Sequence, residues 1–210
     1  MTTIELSGLL LAWAIAGGSP GPATLTISGT AMAHGRAAGV AAGVGVLVGS
    51  AAWGIASALG MGTLMLTHAW IALVLKYIGA GYLLWLALKS LRSALRPGDT
   101  GLQKGLSGPL YRVFLKGLLI HLTNPKAILS WGAIYAIALP AGSGYGAVFT
   151  LFAQLVTVSA LVFIGYGLLF STPRIARAYA RARRGFETLF AALFGAAALR
   201  ILTARVELAP

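Results

Sequence analysis

Asn124 and Lys126 are the side chains best placed to do chemistry, because they flank Pro125 inside a long apolar run. A lysine at the centre of a membrane-spanning helix costs about 2.5–3.5 kcal/mol on insertion scales, so we expect Lys126 to face a cavity. There its ammonium could bind a substrate carboxylate or exchange a proton, and the Asn124 amide could bind a zwitterion's charged ends. The structural alternative is that Lys126 snorkels or caps a half-helix.

Two further side chains on the same run are candidates. His121 precedes the break, and it is the proton-coupling candidate together with Lys126, because no Asp or Glu lies deep in any apolar segment. A satisfied structural histidine is the alternative. Trp131 and Tyr135 follow the break at helical spacing and could wall a cavity, although packing is the usual role of such aromatic residues. The three histidines are too far apart to make a metal site, and no metal or other cofactor is predicted.

A second interruption, Pro20-Gly21-Pro22, lies in another apolar run, and Pro20 precedes Asn124 by 104 residues in a chain of 210. Proline removes a backbone N–H and breaks the helix, which in lipid leaves polar groups that need partners. Broken segments at corresponding places in two halves are typical of a transporter's central binding site. The predicted substrate-binding residues are Pro20, Gly21, Pro22, Asn124, Pro125, Lys126 and Trp131.

The composition predicts an integral membrane protein. Hydrophobic residues make up 58% of the chain and charged residues 10%, against roughly 45–50% and about 25% in soluble domains. The net charge of +12 comes from basic clusters at the ends of apolar segments, which indicates the positive-inside effect and membrane lipids rather than nucleic acid as partners.

The apolar pattern predicts an all-α fold with six transmembrane helices, of which the first and the fourth are broken. The predicted spans cover residues 4–32, 37–59, 69–91, 113–139, 145–170 and 186–202. Glycines at four-residue spacing predict a close-packing face on the second span. They are Gly35, Gly39, Gly43, Gly45 and Gly49. Such faces serve contacts within a chain or between copies, so a homo-oligomer stays open.

The charge of the connections predicts orientation and domain organisation. Most Lys and Arg side chains lie near the connections after the first, third and fifth spans, which places these connections in the cytoplasm and both termini outside. Three spans per half make the two halves inverted repeats. We therefore predict a first repeat over residues 1–91, a basic cytoplasmic linker over 92–111 and a second repeat over 112–210.

The predicted function is a secondary transporter that works by alternating access. The chain shows no Ser, His and acid set, paired carboxylates or nucleotide-binding loop, which predicts neither an enzyme nor an ATP-driven pump. Two alternatives remain. One is a membrane-embedded enzyme or lipid-handling protein that uses the basic cytoplasmic face, and the other is a structural membrane subunit whose prolines only kink helices.

The motifs together resemble the LysE/RhtB family of amino-acid exporters. The resemblance covers nearly the whole chain and implies a bacterial inner-membrane efflux protein for amino acids, driven by the proton gradient. The positions that carry it are Pro20, Gly21 and Pro22, then Lys76, Gly79 and Tyr82, and finally Asn124, Pro125 and Lys126. One departure concerns the second helix, where lysine exporters are expected to carry an acid and this chain reads Gly49-Ser50-Ala51-Ala52. The resemblance therefore favours neutral amino acids or related metabolites as substrates.

Overall fold

The computed structural model describes residues 3–67, 69–95, 105–139 and 143–203, and every regular element in these ranges is an α-helix. The predicted all-α class is confirmed. The elements are α1 (Thr3–Gly18), α2 (Pro22–Thr67), α3 (Ala69–Leu95), α4 (Leu110–Leu122), α5 (Pro125–Ala138), α6 (Tyr145–Leu169) and α7 (Pro173–Thr203). The middle of the predicted linker lies outside the described residues. So do the side chains of Lys76 and Tyr82 and the surroundings of Gly79.

Both predicted breaks are present. α1 ends at Gly18 and α2 begins at Pro22, while α4 ends at Leu122 and α5 begins at Pro125. Each following helix therefore starts with a proline, which fits the first turn because a helix needs no N–H there. The same proline prevents the preceding helix from running on.

The first two predicted spans are joined inside α2 by a single non-helical residue, Gly35, with φ 81° and ψ −175°. Only glycine adopts this region without strain. A Cβ placed on Gly35 would meet nothing within 4 Å. The expectation that Gly35 belongs to the packing face is therefore wrong, because this glycine is required by the backbone turn.

The other α2 glycines pack closely, as predicted, and they face two different helices. A Cβ on Gly43 would lie 2.7 Å from the Phe163 carbonyl oxygen of α6. A Cβ on Gly45 would overlap the Phe114 carbonyl oxygen of α4. Real side chains do not fit at such distances, so glycine lets α2 pack its backbone directly against α4 and α6.

α3 packs mainly against α7. Leu86, Ala87 and Phe194 form the buried apolar contact between them. Polar bonds extend it: Ser93 donates to Glu187 Oε1 at 3.0 Å, and Arg183 donates to Ser93 Oγ at 2.5 Å. The Glu187 carboxylate and the Arg183 guanidinium are both buried here. A buried charge needs a polar partner, and each of these two groups is a partner of the other.

The outer surface of the helices is apolar. Leu11, Ile137 and Leu161 are 62%, 65% and 72% exposed. Within the described ranges, Pro22–Gly60 and Tyr145–Leu169 are long and apolar enough to cross a bilayer. An apolar exterior on long apolar helices is what a lipid environment requires, since lipid satisfies no polar group.

Candidate functional site

The first break exposes backbone groups that side chains then satisfy. Pro22 has no N–H, so the Gly18 carbonyl lacks its helical donor, and the Tyr166 hydroxyl of α6 donates to it at 2.6 Å. The Gly21 N–H donates to Thr24 Oγ1 at 3.1 Å. These bonds hold the interrupted backbone in one conformation inside an apolar surrounding.

The second break is capped in a related way. Asn124 is the N-cap of α5, and its Oδ1 accepts the Lys126 backbone N–H at 3.1 Å. The Leu122 carbonyl thereby loses its helical donor, and the Trp53 indole of α2 donates to it at 3.2 Å. Leu122 and Gly18 are 104 residues apart, the same offset as the breaks. In both cases an aromatic donor from the other half of the chain satisfies the carbonyl.

Lys126 joins the two breaks directly. Its Nζ donates a hydrogen bond to the Ser19 hydroxyl and lies 3.5 Å from the Ser19 carbonyl oxygen. The Phe194 ring of α7 lies 5.9 Å from the same atom. Lys126 is therefore not a snorkelling residue, because its ammonium points at the opposite break within the protein.

A small cavity lies between the breaks, with about 40 Å³ available to the centres of water-sized molecules, enough for a few waters. The lining residues are Trp13, Ala16, Gly17, Ser19, Gly21, Ala23, Thr24, Ser50, His121, Asn124, Lys126, Ala127, Ser130, Trp131, Ser159 and Phe163. They come from α1, α2, α4, α5 and α6 and from the two breaks. The cavity therefore forms where both halves meet.

The structure brings together most of the predicted site residues but not the prolines. Gly21 and Asn124, like Lys126 and Trp131, line this cavity, and so does the proton-coupling candidate His121. Pro20, Pro22 and Pro125 are not among the lining residues, and Pro125 is exposed. The prolines thus shape the break, while the residues beside them line the cavity.

His121 is buried, with 5% of its surface exposed, and it packs edge-on against Phe163 with ring centroids 5.5 Å apart. Among the described residues its Nδ1 has no hydrogen-bond partner. A buried imidazole nitrogen without a protein partner is uncommon.

Two tryptophans form one wall of the cavity. Trp13 and Trp131 are in edge contact, with centroids 4.7 Å apart. The Trp131 indole donates to Ser50 Oγ at 3.0 Å, and the Trp13 indole donates to Ser159 Oγ at 2.9 Å. Tyr135 lies behind Trp131 at a centroid distance of 5.7 Å and does not line the cavity, which agrees with the packing alternative.

Sequence reasoning missed several lining residues. These are Trp13, Ser19, Thr24, Ser50, Ser130 and Ser159. Hydroxyl residues in apolar helices are common because they satisfy backbone carbonyls of their own helix, so neither their type nor their spacing distinguished them. Their position beside both breaks is a tertiary property.

The cavity is electrostatically simple. Among the described residues, Lys126 is the one lining residue with a full charge, and none of the described carboxylates lines the cavity. Within the part of the chain that the structure describes, no three His, Asp or Glu side chains come together. The cavity therefore offers one cation, an imidazole, an amide, several hydroxyls and released carbonyls, a set suited to binding a small zwitterion.

Residues 15–205 of the chain match the protein-family model described as LysE type translocator. The chain belongs to the LysE family. This LysE-family protein is 32% identical to the uncharacterized membrane protein YahN of Escherichia coli over 88% of the chain and 82% of that relative. It is 30% identical to the threonine efflux protein of Salmonella typhi over 89% of the chain and 92% of the relative.

A shorter match adds a third relative. The leucine efflux protein of Klebsiella pneumoniae is 36% identical to the LysE-family chain over 55% of the chain and 54% of the relative. No solved structure matches the chain. Membership of the family agrees with the resemblance found in the sequence and with the apolar, all-helical fold.

Proposed function

We propose that this LysE-family protein is a secondary transporter that exports neutral amino acids across the bacterial inner membrane by alternating access and is coupled to protons. The observation that carries the proposal is the bond from Lys126 Nζ to Ser19 within one cavity. It brings a half-buried cation and two broken helices from both halves to one point, which is the arrangement of a central transport site.

The proposed architecture has six spans in two inverted repeats. α1 with the start of α2, the rest of α2, and α3 form the repeat over residues 1–91, while α4 with α5, α6, and the end of α7 form the repeat over 112–210. Residues 92–111 are the cytoplasmic linker, and both termini lie outside. The matching caps on the Gly18 and Leu122 carbonyls support this inversion, since each uses an aromatic donor from the other half of the chain.

The substrate class follows from the charge of the cavity. A neutral amino acid brings one carboxylate and one ammonium. Lys126 supplies a cation for the carboxylate, while Asn124 and the Ser19 carbonyl supply neutral acceptors for the ammonium. With no acid among the described lining residues, a second positive charge on the substrate would be unfavourable. The relatives named threonine and leucine efflux proteins support the same class.

Proton coupling is assigned to His121 and Lys126. Both line the cavity, and the His121 Nδ1 lacks a partner among the described residues. A proton that binds here changes the charge next to the substrate, which couples proton entry to substrate release.

Alternating access requires the halves to rock about the cavity. The cavity is small, so a substrate enters only when the breaks separate. A substrate carboxylate would then replace the Ser19 hydroxyl as the partner of Lys126. The Lys126 ammonium would exchange one hydrogen-bond partner for another, so it would stay satisfied throughout the transport cycle.

The test is export from vesicles that contain the purified full chain and are loaded with L-threonine or L-leucine, with L-lysine for comparison. We expect export of the neutral amino acids only. Lys126→Ala should reduce export by about tenfold or more, because a charge-assisted bond contributes about 1.5–3 kcal/mol. Lys116→Ala is the matched control, since Lys116 is exposed and donates a hydrogen bond to the Ser107 carbonyl, away from the cavity lining.

Three outcomes would contradict parts of the proposal. Wild-type export after Lys126→Ala would remove the lysine from the mechanism. Absence of any amino-acid export would contradict the function itself. Loss of activity after neutralising Arg177, Arg181 and Arg184, with insertion intact, would instead favour the lipid-handling alternative.

A further inference from the structure

The wall of the cavity contains two tryptophan–serine pairs, and each pair crosses between the halves. Trp131 of α5 donates to Ser50 of α2, and Trp13 of α1 donates to Ser159 of α6. All four side chains are buried, and all four line the cavity. Ser50 and Ser159 therefore reach the same small space from opposite halves.

The hydrogen-bond capacity of these serines leaves each hydroxyl proton available. An indole N–H is a donor only, so each serine oxygen must accept, and its own proton remains free to be donated. Within the described ranges neither hydroxyl donates to a protein acceptor. By contrast, the Ser28 hydroxyl, also on α2, donates to the Thr24 carbonyl of its own helix at 2.8 Å. The cavity is thus lined by two buried hydroxyl donors whose oxygens are already engaged.

A hydroxyl whose oxygen accepts an N–H becomes a better donor, because successive hydrogen bonds polarise one another. Free donors beside a single cation suit an anionic group, and a carboxylate has about four lone-pair sites to satisfy. Lys126 would supply a positive charge for the carboxylate, and the two serine hydroxyls would supply directional hydrogen bonds to it.

We propose that Ser50 and Ser159 donate hydrogen bonds to the substrate carboxylate and so determine selectivity for free amino acids over derivatives that lack a carboxylate. This inference rests on the proposed function. Trp131 and Trp13 act as positioning residues, since their indoles orient the two hydroxyls toward the cavity.

Ser159 is the better position for a test. The Trp13 indole also lies 3.1 Å from the Leu155 carbonyl oxygen, so it keeps an acceptor when the Ser159 hydroxyl is removed. Trp131 has no such second acceptor among the described residues, and Ser50→Ala would leave a buried N–H unsatisfied. Ser159→Ala therefore removes the donor with little effect on the fold, and Ser159→Thr restores a hydroxyl.

The experiment measures export of L-threonine by the full chain in vesicles, with L-threonine or L-threoninamide as competitor. In wild type we expect the amino acid to compete at least tenfold better than its amide. In Ser159→Ala this ratio should fall several-fold through a higher half-saturating concentration of L-threonine, and Ser159→Thr should recover part of it. Ser28→Ala, whose serine is buried but does not line the cavity, should keep the wild-type ratio.

A merely structural serine would lower the maximal rate or the yield of folded protein and leave the selectivity ratio unchanged. An unchanged ratio in folded, exporting Ser159→Ala would overturn the inference while the proposed function stands. Absence of L-threonine export by wild type, with other neutral amino acids also not exported, would contradict the proposed function itself.

Discussion

At the scale of single residues, Lys126 determines how the centre of the protein is held together. An ammonium in an apolar interior must be satisfied, and the Ser19 hydroxyl and carbonyl oxygen satisfy it here. The same contact fastens the second break to the first. Under the proposed function, a substrate that enters must offer Lys126 an equivalent partner.

His121→Gln tests proton coupling at this scale. Glutamine keeps hydrogen-bonding capacity but does not titrate near neutral pH. We expect the variant to lose export driven by a proton gradient and to keep exchange of labelled for unlabelled amino acid, measured in the same vesicles. His34→Gln is the control, since His34 is exposed. Gradient-driven export that survives in His121→Gln would exclude His121 as the proton carrier.

At the scale of elements, the breaks are ordered structures rather than weak points. Each interrupted backbone has side-chain partners, from Tyr166 and Thr24 at the first break and from Trp53 and Asn124 at the second. Backbone in lipid survives only with such partners. Because Trp53 belongs to α2 and Tyr166 to α6, movement of α2 or α6 would change the breaks and the cavity together.

Packing of α2 on α6 yields a sharp prediction. A Cβ on Gly167 would lie 2.7 Å from the Gly39 carbonyl carbon and 2.8 Å from the Val40 nitrogen, whereas a Cβ on Gly165 would meet nothing within 4 Å. Gly167→Ala should therefore separate the helices and destabilise the fold by about 1–3 kcal/mol or more. Gly165→Ala should leave the packing of α2 on α6 and the stability of the fold unchanged, because its added methyl group meets no neighbour.

The measurement is the yield of monodisperse protein and its thermal unfolding midpoint in detergent. Both variants add one methyl group to the same helix, so helix propensity and hydrophobicity are matched. Equal midpoints for the two would show that α2 and α6 do not approach as closely as their backbones indicate.

At the scale of the whole molecule, the two halves contact each other through several elements rather than at one hinge. α2 packs against α4 and α6, and α3 packs against α7. The cavity lies beside the contacts of α2 with α4 and α6, and residues of both halves of the chain line it. A movement of one half relative to the other would therefore change the lining from two sides.

Orientation in the membrane is directly testable because the chain contains no cysteine. We expect a cysteine at Gly146, on the exposed start of α6, to react with an impermeant maleimide in intact cells. A cysteine at exposed Lys116 should react only after permeabilisation, since that end of α4 adjoins the basic linker. The unmodified chain reports background labelling, and the reverse pattern would place the termini in the cytoplasm.

The sequence by itself determined the all-α class, the two breaks and the placement of Lys126 at a cavity. Each depends on a local property that needs no knowledge of distant neighbours. Apolar length predicts helices, proline interrupts them wherever they pack, and the cost of a lysine in lipid predicts a buried partner. The glycines at 39, 43, 45 and 49 were predictable as packing positions for the same reason, although the helices that they face were not.

Only the tertiary structure decided which groups share the cavity. Trp13 and Ser159 are 146 residues apart in the chain, and Lys126 and Ser19 are 107 apart. The local pattern around a hydroxyl in an apolar helix is the same whether it bonds to its own backbone, as Ser28 does, or accepts an indole, as Ser50 does. Which of these happens depends on the helix that packs opposite, because a hydrogen bond between elements is set by their relative position.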